Sequence, residues 1–409
     1  HASLMPKIVT PNVLPAIGTA WNMTNITGWR LVGLEVTVAP GAALQPNVQQ
    51  GIIVIGTSGS TQVTMAQTPQ DIILDRVYVH GQSNTNTKRC LSANAARLAV
   101  IGSQLRECHG KGFDSQAILA WNGPGPFLIE NNRLEAAGEV IMFGGDMTSI
   151  PNLVGSDITI RRNYLGRPLS WQGVWTVKNI FELKNAQRVL FEQNVLENHW
   201  VDAQAGSSVV LGTADNPCSW CIVSDVTFQW NHIHNVSGGF NLFPNYGNAQ
   251  PMRRVKIAQN LITGLGASGL GSNGRLFTIQ NNVDDMWIEY NTGMGVATYV
   301  DLTGNLKKAR FTFRNNVGGG ATYNWFSSQG SGDAANNANL SAPFVVASNG
   351  FVASTNALLP SGSLRVGSLT SAGFANPIWP NGNWSLTSGS FVGLGVDYNQ
   401  LQSKLANVR

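Results

Sequence analysis

Residues 127–134 read FLIENNRL and residues 158–165 read ITIRRNYL; the pattern returns as VLFEQNVL (189–196), VTFQWNHI (226–233), VKIAQNLI (255–262), MWIEYNTG (286–293) and FTFRNNVG (311–318). Each is a short run alternating apolar and polar residues, then an asparagine, then usually another apolar residue. The shared position is Asn132, Asn163, Asn194, Asn231, Asn260, Asn291 and Asn316, with spacings of 31, 31, 37, 29, 31 and 25 residues. Upstream, LVGLEV (31–36), ILDRVYV (73–79) and AVIGSQL (99–105) carry the same run with Leu34, Val77 and Ser103 at that place. A period of 20–50 residues is the signature of a repeat architecture. Period-2 alternation rich in Val, Ile and Phe is strand chemistry, and no helical apolar period lies between the asparagines. An amide recurring once per coil can bond its copy one coil away, as in cross-β stacks. The pattern predicts a right-handed parallel β-helix of about ten coils, with the asparagines inside a tight turn.

A second strand precedes most of these asparagines by ten to fourteen residues: ILAWN, VIMFGG, IFELKN, VVLGT, FNLFPN, LFTIQN and YVDLTGN. Leu134, Leu165, Leu196, Ile233 and Ile262 begin a short third strand and should point inward. The expected solenoid spans 1–320 as one domain, with an N-terminal cap expected upstream of His1. Residues 321–409 should form an irregular loop and a cap packed on the last coil. That cap ends in a short helix presenting Leu401, Leu405 and Val408, with Asp397 as its N-cap.

A charged fraction of 12% and 45 glycines suit a turn-rich solenoid. The net charge of +4 is scattered, and no basic patch interleaves with aromatics, so no nucleic-acid partner is expected. No apolar stretch reaches membrane-spanning length. Cys218 and Cys221 form a CxxC that suits a local disulfide, free thiols, or zinc with His232 and His234. Cys90 and Cys108 sit on consecutive coils in this reading and could bridge them. Disulfides and low charge favour a secreted protein.

In IFELKN, Phe181 and Leu183 should face the core, so Glu182 and Lys184 face out. Neighbouring coils would bring Asn122, Asp146, Asp215 and Asn241 into one shallow groove, with Asp301 further along. An acid beside a lysine can do acid/base work, although an exposed pair of this kind is ordinarily structural and weak. The column Glu130, Arg161, Glu192 on the second sheet has the same composition and reads as cross-strand stabilisation. The loops beside the first sheet supply His109, Lys111, Asp114, Gln116, Trp121 and Asn122; then Glu135, Glu139 and Asp146; then Arg167, Trp171, Trp175 and Lys178; then Glu197, His199, Trp200, Asp202 and Gln204. Tryptophans among carboxylates, amides and bases suit a sugar site, where indoles stack on pyranose rings. Trp171, Trp175 and Trp200 would serve equally to pack loops onto the rod.

Several long strings resemble a bacterial family of secreted right-handed β-helix proteins: GFDSQAILAWNGPGPFLIENNRLEAAGEVIMFGG (112–145), SDITIRRNYLGRPLSW (156–171), WTVKNIFELKNAQRVLFEQNVLENHWVDAQAG (175–206) and MPKIVTPN (5–12). The resemblance spans most of residues 5–320. It implies the fold and membership of the broad pectate-lyase-like group, most of whose members are polysaccharide lyases, glycoside hydrolases, epimerases or adhesins. The calcium-binding acidic cluster of pectate lyases and the paired aspartates of polygalacturonases are absent.

The expectation is a secreted, carbohydrate-acting protein. As a lyase it would use Lys184, Lys178 or His199 as base; as a hydrolase it would draw on Glu182, Asp146, Asp215 or Asp202. Asp114, Gln116, Asn122, Trp171, Trp175 and Trp200 would bind a polysaccharide. No metal ligand set and no cofactor are expected, with calcium left open. The competing expectation is a non-catalytic structural or adhesion protein that self-associates through an open first coil.

Overall fold

In a computed structural model, residues 2–10, 15–18, 26–42, 51–213, 218–244, 249–271, 274–294, 297–353 and 357–408 are described. Three long sheets run along the molecule, and within each one successive neighbours are the equivalent strands of successive coils. Sheet 1 holds Gln116–Ala120, Glu139–Phe143, Asn179–Leu183, Ser207–Gly212 and Gly238–Phe243; sheet 2 holds Phe127–Glu130, Gly155–Arg161 and Ala186–Glu192; sheet 3 holds Arg133–Ala136, Tyr164–Gly166 and Val195–His199. Pairing from coil to coil is parallel, with Gly330–Ser331 turning back antiparallel on Tyr323–Ser327 at the end of sheet 1, so the fold is a parallel β-helix. Right-handed coiling follows from the chirality of parallel crossover connections.

The turn from sheet 2 to sheet 3 is where the asparagines act. Each is fully buried. Asn132 donates its backbone N–H (2.9 Å) and its side-chain amide (3.0 Å) to Asn163 Oδ1. Asn163 does the same to Asn194, and Asn194 to Asn231. The column continues through Asn260, Asn291 and Asn316 to Asn349, one coil beyond the repeats read in the sequence. Ser103 begins it: its N–H donates to Asn132 Oδ1 and its hydroxyl accepts from the Val77 N–H. The residue before each repeated asparagine is left-handed: Asn131, Arg162, Gln193, Trp230, Gln259, Tyr290 and Asn315 have φ between 55° and 57°. That conformation costs a non-glycine residue about 1 kcal/mol or more, and the amide bonds from two coils hold it in place.

Inside, Leu134, Leu165, Leu196, Ile233 and Ile262 are buried as expected, alongside a stack of phenylalanines in which Phe191 and Phe228 lie 4.6 Å apart and 6° from parallel. Two disulfides close, Cys218–Cys221 and Cys90–Cys108. The second does not join consecutive coils: Arg89–Ala93 and Gln104–Cys108 are the sheet 1 and sheet 3 strands of a single coil.

The stacking does not stop at residue 320. Tyr323–Ser327, Val345–Ala347 and Gly350–Val352 add to sheets 1, 2 and 3. Within the stretch expected to be an irregular loop and cap lies the helix Asp333–Asn339, whose Ala335 joins Leu340 in the solenoid core. The C-terminal segment does more than cover the last coil, where Leu364–Val366 pairs with Gly350–Val352. It folds back along the flank of the rod, burying Phe374, Trp384, Phe391 and Leu401 against Leu261, Met294 and Val317. The helix Tyr398–Leu405 is capped by Asp397, which accepts from the Gln400 N–H at 3.0 Å.

Candidate functional site

Sheet 1 carries a cluster of buried titratable side chains. Arg89, Gln116, Glu139 and Asn179 are register partners on four successive strands. They start the strands, immediately before the apolar residues, at the corner where loops from several coils converge. Arg89 Nε donates to Gln116 Oε1 at 2.7 Å, and Gln116 Nε2 donates to Glu139 Oε2 at 2.7 Å. Lys178 Nζ reaches Asp114 Oδ1 at 2.7 Å and Glu139 Oε1 at 3.7 Å. Asn179 Nδ2 donates to Glu182 Oε2 (3.4 Å) and Gln204 Oε1 (3.0 Å), and Lys184 Nζ lies 3.3 Å from Glu182 Oε1. Arg89, Gln116, Lys178 and Asp114 thus gather on a residue outside the predicted site set, Glu139, while Asn179 and Lys184 hold Glu182, and the two carboxyls influence each other through charge.

Burial decides the electrostatics. Glu139 is 1% exposed and Glu182 2%, so the charged form of each loses its hydration. Burial, reinforced by Glu182 and Asp114, pushes the Glu139 carboxyl up to about 7. Burial also raises Glu182, with Lys184 pulling partway back. For Lys178, burial works against the charge, but Glu139 and Asp114 outweigh it and raise the ammonium above its ordinary value. Burial lowers Arg89 to about 10, still charged at neutral pH.

Beside this cluster lies a groove of about 490 Å³, lined among others by Lys88, Arg89, Asp114, Gln116, Trp121 and Asp146. Asp146 is exposed on its wall, its carboxylate accepting from the Met147 N–H. The indole at the groove is Trp121, with the Arg89 guanidinium 5.4 Å from its ring.

Other expected site residues have structural roles. Trp171 and Trp200 are buried, and Trp175 is half-buried, in one apolar cluster with Ala137, Val177 and Leu270. His109 stacks on Trp175 at 3.9 Å and meets Trp171 edge-on. These indoles pack the loops against the rod and present no face to the groove. His199 is fully buried; its Nε2 donates to the Lys178 carbonyl at 2.5 Å and its Nδ1 lies 3.0 Å from Ser237 Oγ. Burial lowers it to about 3, so it stays neutral and orients the backbone of Lys178 instead of taking a proton from substrate. Asp202 accepts from the Val177 N–H at 2.8 Å and pins its loop. Asn122 is also a pin: it is fully buried, donates to the carbonyls of Thr57 and Gln62, and accepts from the N–H groups of Ser149 and Ile150. Asp215 lies outside the described residues. Asn241 accepts from Gln280 at 2.6 Å, and Asp301 pairs with Arg275 at 2.9 Å, both further along sheet 1.

Sequence reasoning passed over Glu139 as one loop carboxylate among several. The signal was its register: EVIMF aligns on NIFEL, so Glu139 opens its strand in line with Gln116 and Asn179. Among the described residues no group of His, Cys, Asp and Glu has metal-site geometry. No described helix is long and apolar enough to cross a membrane.

No protein-family model matches the chain, and no curated protein matches it. Among solved structures, it is similar to a mutant of AlyGC, a PL6-family alginate lyase, with a TM-score of 0.43 and 12% identity. The similarity covers 97% of this chain and 55% of that one, so this chain spans about half the length of the lyase.

Proposed function

We propose that the protein acts on a polysaccharide laid across sheet 1, and that Glu139 and Glu182 form an acid/base pair cleaving a glycosidic bond. The observation that carries this reading is the pair of raised, buried carboxyls beside Lys178 and Lys184, at the edge of a groove rich in hydrogen-bonding groups. A carboxyl poised near 7 can deliver a proton to a leaving glycosidic oxygen at neutral pH. Glu182 would activate the water that attacks the anomeric carbon as the C–O bond breaks. Asp114, Gln116, Trp121 and Asp146 would bind sugar hydroxyls and a ring face. Lyase chemistry is less well supported, because Lys178 is held protonated and His199 is buried and neutral; it leaves Lys184 as base. Secretion agrees with the two disulfides. Calcium remains an addition to test by chelation.

The test is a screen of neutral and uronate polysaccharides, read for new reducing ends and for the ultraviolet absorbance of unsaturated products. Glu139→Gln and Glu182→Gln should each cut reducing-end release on the order of 100-fold without loss of fold. Full activity in both variants sinks the acid/base pair, and unsaturated products transfer the chemistry to Lys184.

A second reading is a non-catalytic surface protein, favoured by two observations. Glu139 does not line the groove directly, being covered by its partners. At the first coil, an apolar hollow of about 160 Å³ is lined by Ile17, Ile26, Trp29, Leu31, Ile55 and Ile72, with Trp29 60% exposed. Self-association there would show in light scattering as a mass that rises with concentration, and inertness toward every glycan would then favour this reading.

A further inference from the structure

Sheet 2 carries an exposed indole on the face away from the sheet 1 groove. Trp287 lies on the strand Asp284–Glu289, between Lys256 and Thr312 in register, and is 40% exposed. It is held in place: its Nε1–H donates to Asp285 Oδ1 at 3.0 Å, and the Arg314 guanidinium sits 5.6 Å from its ring centroid. Next to it is a shallow trough of about 380 Å³, lined by Asp225, Thr227, Arg254, Lys256 and Asp285 together with the indole. The trough's cations are already matched, Arg254 by Asp225 at 2.5 Å and Lys256 by Glu289 at 2.7 Å. Arg314 shares Glu289 with Lys256, and Asp285 supplies the balancing carboxylate, so the trough is neutral in sum. The polar atoms that remain suit hydroxyl groups, which can donate to the carboxylates and accept from the cations.

We infer that this trough is a second, non-catalytic saccharide site for uncharged pyranose units, stacked on Trp287 and bonded through the Asp225–Arg254 pair. A pinned aromatic loses little freedom when a ring face is laid on it. The inference does not depend on catalysis at Glu139.

The experiment is affinity electrophoresis of the whole chain through native gels containing xylan, a soluble β-glucan or polygalacturonate. Wild type, Trp287→Ala, Trp287→Tyr and Trp121→Ala would be run side by side, with thermal melts confirming the fold of each. A neutral glycan should retard wild type, and Trp121→Ala, which removes a ring face at the sheet 1 groove, should keep the retardation that Trp287 supplies. Trp287→Ala should lose affinity on the order of tenfold, with Trp287→Tyr recovering part of it. Retardation by polygalacturonate alone, by no glycan, or equally with Trp287→Ala would overturn the inference. Loss of retardation in Trp121→Ala with none in Trp287→Ala would place all saccharide binding on sheet 1 and overturn it as well.

Discussion

The asparagine column and the sheet 1 cluster are both buried polar arrays stacked coil upon coil, yet they do opposite things to the molecule. In the column every buried group is neutral and each side-chain oxygen accepts from the asparagine one coil before it, so nothing titrates. In the cluster the buried groups are carboxylates and cations whose pairing is incomplete: Lys178 stands 2.7 Å from Asp114 but 3.7 Å from Glu139. Burying a matched amide holds a turn, whereas burying an incompletely matched carboxylate moves its proton affinity to where chemistry needs it. The difference separates a scaffold from a candidate site.

The sharpest way to break the column is Asn194→Ala. It deprives the Asn163 N–H of its acceptor and the Ile160 carbonyl of its donor, and should cost about 3 kcal/mol in urea unfolding. A cost near zero would mean that water replaces the amide and the column is not what holds the turn.

The next test uses protons. Glu139 holds its proton to about pH 7 in the folded chain, against an ordinary value of 4.5. A raised carboxyl contributes stability that is complete below the unfolded value and lost as pH climbs through the folded one. Stability should therefore fall between about pH 4.5 and 7 by about 3 kcal/mol, and Glu139→Gln should flatten that slope. An unchanged slope in the variant would assign the proton to another group.

The smallest effect is expected on sheet 2. Asp157, Asp225 and Asp285 alternate there with Arg188, Arg254 and Arg310, all left-handed at the start of their strands. Arg188 pairs with Asp157 at 2.7 Å with both side chains about half exposed. Arg188→Ala should cost under about 1 kcal/mol, less in high salt. A larger loss would show that the charged ladder supports the left-handed turn as the amides do.

Glu182 and Lys184 were legible as neighbours because strand alternation sets which side chains leave the core, whereas Asp114 was legible only as a polar residue of the loop before its strand. Asn122 misled for an instructive reason. Its position suggests an outward groove residue, but it bonds backbone from the loops around Thr57 and Ser149, which the coil pattern does not place. The tryptophans misled similarly, since composition cannot tell an indole that stacks on sugar from one that stacks on His109.

The sequence alone determined the coil, its three strands and the asparagine turn, because those depend on residue alternation and on one amide meeting its copy a single coil away. The sequence alone also indicated the helix cap at Asp397. Only the tertiary structure decided that Glu139 is the central carboxyl, since its burial comes from Asp114, Lys178 and Gln116, supplied by separate strands and loops. The path of the C-terminal segment along the flank was likewise settled by packing: Phe374, Trp384 and Leu401 found their apolar partners at Leu261 and Met294, residues far away in the chain.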